Sequence, residues 1–174
     1  MIVALTAISG TLASAQTIVP LPDTSQSTIL TANVSEQARI TVPASLIFNV
    51  TNTGLITNAA ASVTITNIVL ATATKQLQVS VVANSLAFTP SVGGGLSWVS
   101  ADVSWDAVAF SNAGVGTAGA LAGVATYNVV QTCAVAVTEC STINLPFHLA
   151  AKPTVNYAGN HTLSMTWKFA SIGA

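Results

Sequence analysis

The sequence predicts an all-β protein: an antiparallel β-sandwich, immunoglobulin-like or jelly-roll-like, with little or no helix. In residues 163–169 apolar side chains alternate with polar ones, as in a half-buried strand. Similar short segments recur along the chain, and turn-forming residues separate them. The helix formers Glu, Lys, Arg and Met are scarce, so we expect no long helix, and 59–62 or 118–124 are the only segments that could make a helical turn.

The first fifteen residues predict a secretory signal peptide. The apolar stretch MIVALTAISG is followed by Ala13-Ser14-Ala15, the small-x-small pattern that precedes signal-peptidase cleavage. We therefore expect a secreted or cell-surface protein whose mature chain begins at Gln16. No basic residue precedes the apolar stretch, as expected if the signal begins further upstream. The alternative is a buried N-terminal strand or helix.

Residues 16–35 predict an extended N-terminal arm. Pro20 and Pro22 keep its first half extended and cannot donate to a β-ladder. Its second half alternates like a strand, and we expect it to assemble subunits by adding a strand to a neighbouring copy. The residues expected to make that contact are Ile29, Leu30, Ala32 and Val34. The alternative is that this segment is the first strand of its own sandwich.

Residues 36–174 predict a single sandwich domain. The segments with strand character are ARITVPASLIFNVTN, ASVTITNIVL, KQLQVSVVAN, LSWVSADVSWDAVAF, GVATYNVVQTCAV, STINLPFHLAA and the closing strand. In the first of these, Pro43 marks a sheet edge or a break. Several short strands at this spacing are typical of a sandwich or a barrel.

The two cysteines predict a disulfide. Cys133 and Cys140 are the only cysteines in the chain, and an even count in an exported protein indicates a bond. Such a bond closes a short loop and is worth about 2.5 kcal/mol in the chain-entropy model. Two free, buried thiols are the alternative. The spacing fits no zinc signature.

The large aromatic residues are predicted to lie in the core. They occupy apolar positions of alternating segments, which favours burial. The predicted core aromatics are Trp98, Trp105, Trp167 and Phe169. The alternative is an exposed platform on which the tryptophan rings stack against a sugar.

The scarcity of charge limits the classes of partner. Only 5% of residues are charged and the net charge is −1, against roughly 25% charged residues in an average soluble protein. Such a chain has no field to attract nucleic acid, and its mature part has no apolar run long enough to span a bilayer. Scarce charge also removes the repulsion that keeps copies apart, which favours a homo-oligomer or polymer.

No motif identifies a cofactor, a metal or a reaction. Gly114, Gly116 and Gly119 have GxGxxG spacing, but Gly123 interrupts the helix that a dinucleotide site needs. We therefore predict no cofactor and a loop rich in small residues.

The titratable residues predict no catalytic site. Asp102 and Asp106 lie on one face of a predicted strand about 13 Å apart, too far for a glycosidase pair, and they lack the remainder of a calcium loop. His148 and His161 belong to no metalloprotease or nucleophile motif. We predict no enzyme. Glycosylation sequons at Asn33, Asn49 and Asn160 matter only in a host that glycosylates exported proteins.

The ending NLPFHLAAKPTVNYAGNHTLSMTWKF resembles the closing strand of prokaryotic surface β-sandwich domains, most nearly the WxL-type cell-surface domain. Thr166, Trp167 and Phe169 occupy the places of that family's final T-W-x-L. The resemblance covers about the last thirty residues and lacks the family's earlier tryptophan segment. It implies a secreted surface protein, and a cell-wall polymer is the partner that the family suggests.

These features together predict a non-enzymatic extracellular structural protein. We expect a subunit of a surface filament, pilus-like fibre or adhesive coat that assembles by β-strand pairing. The alternative is a monomeric module that binds cell-wall or other extracellular polysaccharide.

Overall fold

The computed structural model describes residues 28–112 and 114–173 and shows an all-β fold, as predicted. The chain divides after Asn33, and the unit Val34–Ala174 contains every strand described here. The predicted signal peptide and the first part of the arm lie outside the described residues.

In the part of the chain that the structure describes, nine strands form two antiparallel sheets, which confirms the sandwich. They are β1 (Gln37–Thr41), β2 (Thr57–Val69), β3 (Gln76–Ala83), β4 (Val103–Trp105), β5 (Val115–Gly116), β6 (Gly119–Ala120), β7 (Asn128–Thr132), β8 (Thr142–Leu149) and β9 (Met165–Ile172). The five-stranded sheet has the order β1-β2-β8-β4-β6, and the four-stranded sheet has the order β5-β7-β3-β9. Within the described residues, the 3-10 turn Ser100–Asp102 is the one helical element. The described part of the chain therefore contains no helix long and apolar enough to cross a membrane.

Neither of the two segments that could make a helical turn is helical, which agrees with the prediction of little or no helix. Residues 59–62 lie inside β2, and residues 118–124 contain β6. In β2, Ala61 pairs with Leu145 of β8 and is only 1% exposed. Pairing of this stretch with β8 and burial of its inner face outweigh the helix propensity of alanine.

The core lies between the two sheets and is built from strands whose burial alternates with period two. β2 and β8 bury every second side chain, including Val63, Ile65, Leu145 and Phe147. β3, which has a partner on each side, is buried almost throughout. The alternation read from the sequence therefore reports the inner face of each sheet.

The predicted core aromatics separate into two groups. Trp98 and Trp105 are 4% and 1% exposed and belong to the buried core. Trp167 and Phe169 pack against that core from β9 but are only half-buried. The β9 side of the sandwich is therefore less covered than its clean alternation predicts.

The disulfide between Cys133 and Cys140 is present, and both residues are fully buried. The Cys133 N–H donates to the carbonyl of Leu77 in β3, and the Cys140 N–H donates to the carbonyl of Ile65 in β2. Since β3 and β2 belong to different sheets, the bond ties the sheets together at one end of the core.

The glycines with GxGxxG spacing allow neighbouring groups to approach the backbone closely. They lie in and beside β5 and β6, two short strands, instead of between a strand and a helix. A Cβ on Gly119 would stand 2.6 Å from the ring of Trp105, and one on Gly116 would stand 2.2 Å from the backbone of Val108. Only glycine fits at these approaches.

We predict that Gly119→Ala lowers the free energy of unfolding by about 1–3 kcal/mol, the usual cost of overpacking, because the Trp105 ring is held in the core and cannot move aside. Gly93→Ala is the matched control, since nothing lies within 4 Å of a Cβ at that position. Urea denaturation of both variants measures the effect. Equal stability of the two variants would contradict this packing role.

Candidate assembly surface

An apolar groove opens into the core on the β9 side of the sandwich. Its volume is about 1040 Å³, and its lining includes buried core residues of the five-stranded sheet. One wall comes from residues 42–51 and the other from residues 155–167. Its floor includes Val103, Leu121 and Leu149. None of the described lining residues carries a formal charge.

The wall formed by residues 42–51 joins neither sheet. The sequence predicts strand character here, and Leu46, Phe48 and Val50 are half-buried at alternate positions. However, β1 ends at Thr41, and residues 42–56 form no strand. Pro43 lacks a backbone donor and interrupts the ladder, so the segment contributes side chains to the groove but no strand to the core.

The opposite wall is β9 and the residues before it. Leu163, Met165 and Trp167 line the groove, and the Trp167 ring meets the Phe147 ring edge-on at a centroid distance of 6.4 Å. Phe147 in turn contacts Trp105, with ring centroids 6.0 Å apart. Trp167 therefore lies between the closed part of the core and the groove.

A turn at residues 156–161 closes one end of the groove and is held by polar contacts. The Asn156 Oδ1 accepts the Leu96 N–H at 2.8 Å, and the Ser91 hydroxyl donates to the Ala158 carbonyl at 2.7 Å. Thr89 and Thr162 exchange two backbone hydrogen bonds beside it. These bonds tie residues 156–162 to the segment 89–96.

The same turn carries a serine–histidine contact that sequence motifs did not reveal. Ser97 Oγ lies 2.7 Å from His161 Nδ1, and His161 Nε2 lies 2.9 Å from the Tyr157 carbonyl. Because a carbonyl only accepts, Nε2 carries a proton, and in the neutral ring Nδ1 accepts from the serine hydroxyl. The ring also packs edge-on against Trp98. The contact completes the closure of this end of the groove.

The other predicted chemical residues each face a separate partner. Asp102 pairs with Lys152 at 2.7 Å, and Asp106 contacts His148 Nε2 at 2.9 Å. The structure therefore does not bring the two aspartates to one ligand. Within the described residues, no three His, Cys, Asp or Glu side chains lie together as a metal site requires.

Glu36 anchors the point from which the arm departs. Its Oε1 accepts the Ala71 N–H at 2.8 Å and the Lys75 ammonium at 2.9 Å, and it lies 3.3 Å from the hydroxyl of Ser171 in β9. The hydrogen bonds from Ala71 and Lys75 hold the pKa of Glu36 below its usual range. The first residue of the sandwich is thus fixed beside the end of β9.

The predicted arm residues that the structure describes are exposed. Ile29, Leu30 and Val34 are 91%, 92% and 72% exposed, and Ala32 is also exposed. Residues 28–36 form no strand. The segment therefore presents its apolar side chains to solvent in the single chain.

Comparison with known proteins finds no matching family model, curated protein or solved structure.

We predict that Trp105→Ala and Trp167→Ala differ in cost. Trp105→Ala should lower the free energy of unfolding by about 3–5 kcal/mol, as for a fully buried aromatic. Trp167→Ala should cost about 1–2 kcal/mol, because less of its ring is removed from water. Urea denaturation at low protein concentration measures both. An equal loss would mean that Trp167 is fully covered in solution and that the groove is closed.

We predict that Glu36 stabilises the sandwich in a pH-dependent manner. Because its pKa is lowered in the folded state, its contribution is complete above the usual carboxyl pKa and disappears as the pH falls through the lowered value. The difference in urea midpoint between the wild type and Glu36→Gln should therefore shrink on acidification. A difference that is constant with pH would show that the charge of Glu36 is not involved.

Proposed function

We propose that the protein is an exported, non-enzymatic structural subunit of a surface filament, pilus-like fibre or coat, and that it assembles by β-strand pairing. One observation carries the proposal: the chain presents both an exposed apolar arm and an open apolar groove. Leu30 is 92% exposed, while the groove leaves about 1040 Å³ beside core residues. Contiguous apolar surface of this kind is typical of sites that bind another protein.

The distribution of charge supports self-association. Two of the five acidic residues are paired with lysines, in the contacts Glu36–Lys75 and Asp102–Lys152. Little net field is left to repel a second copy. The predicted signal peptide, 1–15, supports an extracellular location, where such assemblies form.

The tryptophans supply little support for the alternative, a monomeric polysaccharide-binding module. A sugar platform needs aromatic faces in contact with solvent. Trp98 and Trp105 are buried, so Trp167 is the one tryptophan that keeps a partly accessible ring. Tyr157, 47% exposed at the groove, is the ring that a sugar would reach most easily.

We predict that the purified mature chain forms large particles and that Leu30→Asp/Val34→Asp abolishes them. Aspartate would introduce two charges into side chains that assembly must bury, and an unpaired buried charge is costly. Negative-stain imaging and mass in solution measure the outcome. The matched control is Leu86→Asp/Ile143→Asp, which places the same charges on side chains 65% and 87% exposed outside the groove.

The control should polymerise like the wild type, and the arm variant should remain a folded monomer. A wild-type chain that stays monomeric would overturn the proposal and favour the polysaccharide module. An arm variant that polymerises normally would show that assembly does not use the arm.

A further inference from the structure

We infer that the groove is the acceptor site for the arm of a second copy, whose residues 28–35 add a strand to the free edge of β9. This inference rests on the proposed function and specifies its partner and its contact surface. Its components are the backbone of β9, the side chains lining the groove, and the side chains of the arm.

The backbone of β9 is ready to pair. β9 is the last strand of its sheet and pairs with β3 along its whole length. At one end of this ladder Gln76 lies opposite Ile172, and at the other end Ala83 lies opposite Met165. The Asn84 N–H donates to the Ser164 carbonyl just beyond this ladder. Because backbone groups alternate in direction along an antiparallel strand, those of Thr166 and Lys168 also face β3.

It follows that the N–H and C=O groups of Met165, Trp167 and Phe169 point away from β3. No strand among the described residues pairs with this edge. An incoming strand would find a row of free donors and acceptors at the groove wall, which is the requirement for β-augmentation.

The side chains match in spacing and direction. Leu163, Met165 and Trp167 face the groove at every second position. In an extended arm, Leu30, Ala32 and Val34 also share one face, and both rows repeat at about 6.6 Å because strands rise about 3.3 Å per residue. An arm lying along β9 would thus place these three side chains into the groove.

The match also extends to charge. The arm segment TILTANVS has no charged residue, and neither do the described residues lining the groove. Docking would therefore bury no ion, and the backbone ladder would replace hydrogen bonds to water. Lys168, the one charged residue of β9, lies on the outer face over the Tyr127 ring.

The anchor at Glu36 favours the arm of a second copy over the chain's own arm. Glu36 lies beside Ser171, near the end of β9. An arm folding back from this point along its own β9 would run parallel to it. A second copy is free to approach in the antiparallel direction, which forms the slightly more stable ladder.

The experiment cross-links two different full-length variants. Leu30→Cys supplies the arm thiol on one copy, and Met165→Cys supplies the groove thiol on the other. Lys168→Cys replaces Met165→Cys as the matched control, because it lies on the same strand but on the opposite face. The mixtures are mildly oxidised and analysed by non-reducing electrophoresis, and the linked peptides are identified by mass.

We expect a disulfide-linked heterodimer with Met165→Cys and only background with Lys168→Cys. A chain carrying both Leu30→Cys and Met165→Cys should link between copies in dilute solution. A link within one chain would overturn the inference, because the groove would then hold the chain's own arm. If Met165→Cys fails to fold, Leu163→Cys replaces it on the same wall.

A second measurement needs no groove mutation. The peptide TILTANVS is added to full-length Leu30→Asp/Val34→Asp, which cannot donate its arm but keeps the groove, and tryptophan fluorescence is recorded. The control peptide carries the same two aspartates. We expect saturable binding of the first peptide alone.

The outcomes separate this inference from the proposed function. Wild-type polymers without the Met165 cross-link and without peptide binding would overturn the inference while the structural role stands. Peptide binding without polymers would support the acceptor groove and overturn the filament.

Discussion

The contact between Phe147 and Trp167 is the interaction that fixes where the closed core ends and the groove begins. Phe147 belongs to the five-stranded sheet and Trp167 to the four-stranded sheet, and their rings meet edge-on across the core. At the far end the two sheets are tied through Cys133 and Cys140. The core is therefore closed at the disulfide but reachable at β9, where Trp167 serves both the fold and the groove.

Polar contacts hold one wall of the groove in place. The turn at 156–161 is bonded to the segment 89–98 through Asn156, Ala158 and His161. A preformed acceptor loses little conformational freedom when a strand docks, which raises its affinity. The serine–histidine contact is one of these polar contacts.

The low charge of the chain has opposite consequences for solubility and for assembly. Edge strands are usually protected by lysines, prolines or bulges that discourage pairing. β9 has Lys168 alone, and its side chain projects from the outer face instead of blocking the groove. Pro43 has no backbone N–H to donate, and residues 42–56 form no strand that could protect this edge.

The sequence by itself determined the all-β class, the disulfide and the inner face of most strands, because each follows from local composition or from a period-two pattern. Residues 163–169 showed which side chains face inward, but their alternation is the same for a covered strand and for an edge strand. The identification of Trp167 as core was therefore only partly right, and Ala61 shows that pairing overrides local helix propensity. The groove and its closed end were decided by the tertiary structure alone. They join residues 42–51 with residues 155–167, and only the order of strands in the two sheets brings segments so distant in the chain together.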